Sequence, residues 1–395
     1  MSWPMVSIKS VAKVTTGKTP SKKVEEYFGG HIPFISPVEL GSAQFVSPAK
    51  QTLTEAGAAQ IKLVPKNSVL VCCIGSLGKL AIADQTLATN QQINSVTFDE
   101  KLVFPKYGYY ALSRLKPILE SIAPATTVAI VSKSKFEELE IPLPPLEEQK
   151  RIAAILDKAD AIRQKRKQAI TLADEFLRSV FLEMFGDPVT NPKGWSRKEI
   201  KEGVSRITSG WSAKGDSRPC GQGEVGVLKI SAVTSGEFKP KENKFVEKHI
   251  IPEGKNLIFP KKGDLLFSRA NTRELVAATC IVPKDCDDVF LPDKLWNIEL
   301  SSEELMPEYF HMLLQDDKFK ETLTSQATGS SGSMLNISKQ KFETTLAPFA
   351  PIDLQMKFKN IYWHLKDNAA NMKNSEDYLI EQFNALSQKA FSGQL

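Results

Sequence analysis

The sequence predicts a tandem repeat. Its unit is a mixed α/β (α+β) globular domain followed by a long helix, and the two helices pair as an antiparallel coiled coil with pseudo-twofold symmetry. Three observations predict this. Motifs recur in the same order at a separation near 200 residues. Each copy opens with a zone of short apolar runs broken by Gly, Pro, Ser and Thr. Each closes with about 40 residues free of Pro and Gly that carry apolar side chains at heptad spacing. The expected divisions are 1–145 (globular), 146–186 (helix), 187–350 (globular) and 351–395 (helix).

The repeat shows in the residues themselves. Trp3-Pro-Met-Val-Ser-Ile-Lys leads to Thr15-Thr16-Gly17, and Trp195-Ser-Arg-Lys-Glu-Ile-Lys leads to Thr208-Ser209-Gly210, an offset of 192 at the tryptophan. Ser132-Lys-Ser-Lys-Phe136 matches Ser338-Lys-Gln-Lys-Phe342, and Pro145-Leu-Glu-Glu-Gln149 matches Pro351-Ile-Asp-Leu-Gln355, both at an offset of 206. The second copy has therefore gained about fourteen residues, placed in the Gly-rich stretch 215–226. A period this long is a duplicated domain, not a solenoid repeat.

Within each globular zone, Ser68–Ile74, Leu80–Ala83 and Asp264–Ser268 are short runs bounded by turn residues and read as strands. Helices follow Pro105 and Pro307, where aromatic and aliphatic residues recur at helical spacing. Pro142-Leu-Pro-Pro145 then blocks helix before the long stretch begins. There the seam reads Ile152, Ile155, Ala159, Ile162, Arg166, Ala169, Ala173, Phe176, Val180. The second seam reads Phe358, Ile361, Leu365, Asn368, Met372, Ser375, Leu379, Phe383, Leu386. Ile152, Ile155, Ile162, Phe176, Phe358, Ile361, Leu365 and Leu379 are expected to pack helix on helix or dock a partner. Polar interruptions of such a seam fix register and partner choice.

Composition sets the class. The 395 residues suit two to three domains, and 42% hydrophobic with 25% charged residues supports packed cores. The longest apolar run is Val69–Ile74, far below the roughly 18 residues of a membrane span. Met1-Ser-Trp-Pro4 has no secretory pattern, and five cysteines without a C-x-x-C pair read as reduced thiols, so a cytoplasmic protein without a membrane partner is expected. The net charge of +5 sits in residues 1–186, which hold 23 Lys+Arg and 18 Asp+Glu. That excess permits nucleic-acid binding without demanding it.

Catalytic constellations are not found. Gly75-Ser-Leu-Gly78-Lys79 has the wrong spacing for a phosphate loop. His31, His249, His311 and His364 are scattered, there is no serine elbow, and Asn191-Pro192 continues into Lys-Gly, unlike a methyltransferase loop. The expected function is binding. Polar clusters beside glycine point to DNA: Thr16, Lys18, Thr19, Ser76, Lys79, Asn90, Gln91, Gln92 and Thr127 in the first copy. Ser209, Trp211, Lys214, Ser268, Arg269, Asn271, Arg273, Lys294, Ser330 and Ser331 form the second set. Asn and Gln pair with adenine, Arg and Lys with guanine, and Ser and Thr with phosphates or base edges.

Ile141-Pro-Leu-Pro-Pro-Leu-Glu-Glu-Gln-Lys-Arg-Ile152, following Ser132-Lys-Ser-Lys-Phe136, resembles the border between target-recognition domain and conserved helix in type I restriction–modification specificity subunits. Thr89-Asn-Gln-Gln-Ile93, Gly75-Ser-Leu-Gly78 and Ala390-Phe-Ser-Gly-Gln-Leu395 resemble that family as well. Pro292-Asp-Lys294 replaces the Asn-Gln-Gln stretch in the second copy. The resemblance implies a non-catalytic subunit that recognises a bipartite site in double-stranded DNA, one half per domain, with the helices setting the spacing. It implies two methyltransferase (modification) subunits docked on those helices, and motor-nuclease (restriction) subunits in the full assembly. S-adenosylmethionine, ATP and Mg would then belong to the partners, and this chain would hold no cofactor. The basic run Arg163, Lys165, Arg166, Lys167 would face DNA or a partner. A stand-alone DNA-binding regulator and a coiled-coil scaffold without DNA are the competing expectations.

Overall fold

A computed structural model describes residues 3–46, 48–124, 128–325 and 334–395. The chain divides into two compact units, residues 1–169 with 372–395, and residues 170–371. Among the described residues no helix is long and apolar enough to cross a membrane.

The first unit is built from three sheets. Strands β1 (Met5–Ser7) and β9 (Glu140–Pro142) pair antiparallel where the globular part opens and closes. The main sheet is antiparallel in the order β2 (Ala12–Thr16), β8 (Ile93–Phe98), β5 (Val69–Cys72), β6 (Leu80–Ile82). A smaller sheet runs β4 (Gln51–Leu53), β3 (Phe28–Ile35), β7 (Ala88–Thr89), with β3 and β7 parallel. Strands β5 and β6 are buried throughout, as expected of apolar runs without alternation. Helix α1 (Pro105–Ser113) starts on proline, which supplies the right φ and has no N–H to leave unpaired, and buries Tyr107, Tyr110, Ala111 and Leu112 against the main sheet.

The second unit repeats this plan strand for strand. β10 (Ser196–Glu199) pairs with β20 (Leu346–Phe349). The main sheet runs β11 (Val204–Ser209), β18 (Leu295–Leu300), β14 (Leu265–Ser268), β16 (Thr279–Ile281). The smaller one runs β13 (Asn243–Val246), β12 (Val225–Leu228), β17 (Val289–Phe290). Helix α3 (Pro307–Gln315) stands where α1 stands. A short pair, β15 (Ala270–Asn271) with β19 (Leu335–Asn336), mirrors the single bridge Ile74–Ile130 of the first unit.

The long helices are α2 (Leu146–Phe185) and α4 (Ile352–Ser392), in the stretches expected to be helical. Each joins its globular part through one buried glutamine. Gln149 is fully buried; its Oε1 accepts from the Phe104 N–H (2.9 Å) and its Nε2 donates to the carbonyls of Leu102 and Pro144 (2.9 Å each). Gln355 does the same with the Met306 N–H (2.8 Å) and the carbonyls of Glu304 (3.0 Å) and Ala350 (2.7 Å). Tyr107 Oη donates to the Pro142 carbonyl (2.6 Å) and Tyr309 Oη to the Pro348 carbonyl (2.8 Å). The opening tryptophans are tied alike: Trp3 Nε1 donates to Ala390 O (2.9 Å), and Trp195 Nε1 to Phe185 O (2.8 Å).

A second joint differs between copies. In the first unit Asp157 of α2 accepts from Lys106 (2.6 Å), Gln44 (2.7 Å) and Tyr110 (2.8 Å). At the matching positions of the second unit Glu308 supplies the acid and accepts from Trp363 Nε1 of α4 (2.6 Å). The acid has moved from helix to globular part.

Within each unit the segments of α2 and α4 run antiparallel. In the first, Arg151 Nη1 donates to the Leu395 carbonyl (3.4 Å), while Arg163 lies 4.6 Å over the Phe383 ring. In the second, Lys366 pairs with Asp174 (3.0 Å), while Phe181 and Phe185 meet Phe358 at 5.6 and 5.4 Å.

The expected seam is corrected at one of its two heptad rows. Ile162 and Phe176 are exposed, at 54% and 56%, and Ile155 is only half-buried. The buried row lies one residue further on, at Leu156, Ile170 and Leu177. Arg163 holds the place between them because its apolar stem and guanidinium cover Phe383. In α4, Phe358 is buried; Ile361, Leu365 and Leu379 are half-buried; Asn368 is exposed and Ala369 takes its inward place.

Gln149→Ala should destabilise the first unit by about 3 kcal/mol, because it strands one buried N–H and two carbonyls. Gln355→Ala should do the same in the second unit. Hydrogen exchange at the Phe104 and Met306 amides reads each unit separately, and unchanged protection in either variant contradicts the assignment.

His311 gives a pH dependence. It is buried, and Thr279 Oγ1 stands 2.8 Å from its Nδ1. Gln315 Nε2 donates to that hydroxyl (2.9 Å). Burial, aided by Lys366, lowers the pKa from 6.5 to about 3. The unfolded chain therefore binds the extra proton between about pH 6.5 and 3. Stability should fall with falling pH across that window by about 1.4 kcal/mol per unit. Thermal melts of a His311→Gln variant should show a shallower decline than the parent.

Candidate nucleic-acid interface

The first unit gathers much of its expected site around one loop, Asn90–Gln92, which links the small sheet to the main one. Thr16 ends the edge strand β2, and the chain then turns against this loop. Gly17 N–H donates to Ile93 O (3.0 Å) and Lys18 N–H to Thr89 O (2.9 Å). A Cβ on Gly17 would stand 2.1 Å from Asn90 O and 2.4 Å from Thr89 O, so only glycine allows the approach. Thr16 Oγ1 donates to Asn94 Oδ1 (2.7 Å), and Thr19 Oγ1 donates to Gln91 Oε1 (2.7 Å). Gln91 is exposed, and its Oε1 is held from below by Thr19.

Asn90 and Gln92 turn inward instead. Asn90 is only 9% exposed; its Nδ2 donates to Gln92 Oε1 and its Oδ1 accepts from Gln92 N–H, both at 3.0 Å. Gln92 Nε2 reaches Ile74 O (3.3 Å) and ties the loop to the turn holding Ser76 and Lys79. The adenine-pairing role expected of Asn90 is therefore corrected: its amide shapes the loop. Ser76 and Lys79 are exposed and line an open hollow of about 340 Å³ with Lys116 and Glu120. Behind the loop Cys73 is buried, which pushes its thiol up to about 12 and leaves it protonated. Thr127 lies outside the described residues.

The second unit builds the same junction with other side chains. Trp211 N–H donates to Leu291 O (2.9 Å), and a Cβ on Gly210 would stand 1.7 Å from that oxygen. Ser212 Oγ donates to Asp293 Oδ1, the position of Gln91 in the first copy. Arg269 Nε donates to Asp293 O (2.9 Å), its Nη1 to Asn336 Oδ1 (3.1 Å), and its Nη2 stands 3.9 Å from Asp293 Oδ2. Lys294 accepts through its carbonyl from the Arg269 N–H (3.1 Å).

Other expectations in this unit are corrected. Ser268 is fully buried at the end of β14, so it cannot face a ligand. Trp211 stacks on Phe290 at 13° and 6.1 Å under Lys255 and serves the small sheet's core. Asn271 folds back to accept from the Thr272 N–H (2.8 Å). Ser209, Lys214 and Arg273 are exposed. Ser330 and Ser331 lie outside the described residues.

Asp293, Asn336 and Asn94 were missed as site residues. The signal for Asp293 lies in the order of the repeat: Ser212 follows Gly210 as Thr19 follows Gly17, and Asp293 precedes the strand Leu295–Leu300 as Gln91 precedes Ile93–Phe98.

Residues 2–172 match the family model described as type I restriction modification DNA specificity domain. The chain is thus similar to type I restriction–modification specificity proteins over its first 172 residues. It is 30% identical over 237 residues to the type I restriction enzyme MjaIX specificity subunit of Methanocaldococcus jannaschii, covering 53% of each chain. The chain thus spans about half the length of that relative. Identity to the MjaVIII specificity subunit of the same organism is 27% over 348 residues, covering 83% of this chain and 78% of the relative. The fold is shared with the crystal structure of a type I restriction–modification system S subunit from M. genitalium, at TM-score 0.56 and 18% identity, over 98% of this chain and 96% of that one.

Gly17→Ala and Gly210→Ala should each destabilise their unit by more than about 3 kcal/mol, since backbone stands where the new methyl must go. Thr19→Val, which removes only a partly exposed hydrogen bond, should cost under about 1 kcal/mol. Denaturant titrations separate the two classes, and a Gly17→Ala chain as stable as the parent would disprove the close approach.

Proposed function

We propose that this chain is the DNA-recognition subunit of a type I restriction–modification complex and that each unit reads one half of a bipartite duplex site. The observation that carries this is the junction built twice. In both units a hydroxyl just after a tightly packed glycine holds an exposed or half-exposed acceptor on the linking loop. The frame is constant and the presented chemistry changes, with Gln91 in one unit and Asp293 beside Arg269 in the other. An amide suits adenine; a carboxylate accepts from cytosine N4 and an arginine donates to guanine. Two related readers with different side chains fit an asymmetric site in two parts.

In this reading the long helices form one antiparallel coiled coil that spaces the two readers and docks two methyltransferase subunits, with motor-nuclease subunits completing the assembly. Exposed Ile162 in the first unit, and exposed Leu172 and Phe176 in the second, support docking, because each is a large apolar side chain left on a helix surface. The chain itself performs no chemistry; S-adenosylmethionine, ATP and Mg act in the partners.

The test is an exchange. Residues 1–140 are replaced by the matching segment of a relative, and the chimera is expressed with its methyltransferase. Methylome sequencing should show one half of the methylated motif changed and the other kept. A change in both halves, or in neither, contradicts separate reading.

A further inference from the structure

Beside the edge strand β2 lies an open groove of about 740 Å³ that adjoins the junction holding Gln91 and extends away from it. Five lysines line it: Lys9, Lys13, Lys18, Lys62 and Lys133, with Glu137 as the sole acid among its lining residues. They come from five separate segments: the helical turn before β2, β2 itself, the turn after it, the loop after the helix Glu55–Ala58, and the helix Lys133–Glu137. Lys9 pairs with Glu138 (2.5 Å) and Lys133 with Glu137 (3.2 Å). Among the described residues Lys13, Lys18 and Lys62 make no ion pair, and all three are exposed. Thr16 and Lys18 belong both to the groove and to the junction that holds Gln91.

We infer that this groove carries a phosphate strand of duplex DNA and makes the first unit the electrostatic anchor of the molecule. A lysine on an edge strand also guards against strand addition. That purpose requires Lys13 alone and does not explain four more lysines converging from other segments. The second unit keeps the paired lysines and differs at the free ones. Lys9 corresponds to Lys201 and Lys133 to Lys339, and each is ion-paired in its own unit. Lys18 corresponds to Trp211, which is packed on Phe290, leaving Arg206 at the place of Lys13. Charge agrees: residues 1–145 hold 15 Lys+Arg against 11 Asp+Glu, whereas residues 187–350 hold 23 of each. The first unit therefore supplies most of the sequence-independent, salt-sensitive affinity, and the second contributes mainly readout.

The inference rests on the DNA-recognition reading, and its test keeps the two apart. The full chain is titrated against a fluorescein-labelled 30-base-pair duplex of random sequence in 50 to 200 mM KCl. Loss of two phosphate contacts in a Lys13→Ala, Lys62→Ala double variant should make the slope of log affinity against log salt shallower by about 1.8. A Lys13→Arg, Lys62→Arg variant should restore the parent slope, and Arg206→Ala with Lys339→Ala should change it by about 0.9 or less. An unchanged slope in the alanine pair, with the parent binding normally, overturns the groove and leaves recognition standing. An equal or larger change from the second-unit pair overturns the anchor. A parent that does not bind duplex even at 50 mM KCl overturns both readings together.

Discussion

One buried amide holds each unit together. Gln149 and Gln355 sit one turn into their helices, fully out of water, with both the oxygen and the nitrogen of the side chain satisfied by backbone. An amide is the one neutral side-chain type with two donors and an acceptor in this geometry. It accepts from the residue before the proline of α1 or α3 and donates to carbonyls on either side of the helix entry. Leaving any of these groups unpaired in the interior costs on the order of 1–3 kcal/mol. The direction of each long helix relative to its own globular part is thereby fixed. The prolines before it keep the entry extended, and the tyrosine of α1 or α3 clamps the same strand from the other side.

Once that joint is fixed, the loops at the sheet junction are free to vary. Their backbone course is set by glycine and by main-chain hydrogen bonds such as Lys18 to Thr89 and Trp211 to Leu291. Side chains at the turn are then replaceable without disturbing the path. The change from Gln91 to Asp293 shows this, since the hydroxyl beneath each survives. A rigid scaffold with exchangeable surface chemistry is what loops on a packed core provide.

Much of the architecture was legible in the residues, and the reasons it was so are physical. The proline-to-glutamine border recurs because the buried amide joint needs it, and the long helices follow because neither Pro nor Gly interrupts them. The seam was half legible. Ile155 or Leu156, and Ile162 or Arg163, are equally compatible with a heptad count, and a count by hydrophobicity selects Ile162. The structure selects Arg163, whose stem packs and whose charge rests on a ring. In the site, Lys18, Thr19 and Gln91 were legible as polar residues beside glycine. Asn90, Ser268 and Trp211 were misread because composition does not tell an outward polar group from one that holds a turn or fills a strand. The lysines at 13 and 62 are scattered in the sequence and meet only when the edge strand is folded.

The exchanged acid at the second joint bears on inheritance. Lys106 answers Asp157 in one copy, and Glu308 answers Trp363 in the other. A gene crossover at the proline border would graft the globular part of the second copy onto the helix of the first and set Glu308 against Asp157, two carboxylates in a partly buried crevice. The reverse cross would leave Lys106 facing an indole. Crossovers placed beyond codon 157 or 363 carry the matched pair along intact. The heritable module is thus longer than the globular domain by about three helical turns, and shuffling between halves should leave surviving lineages with breakpoints inside the helices.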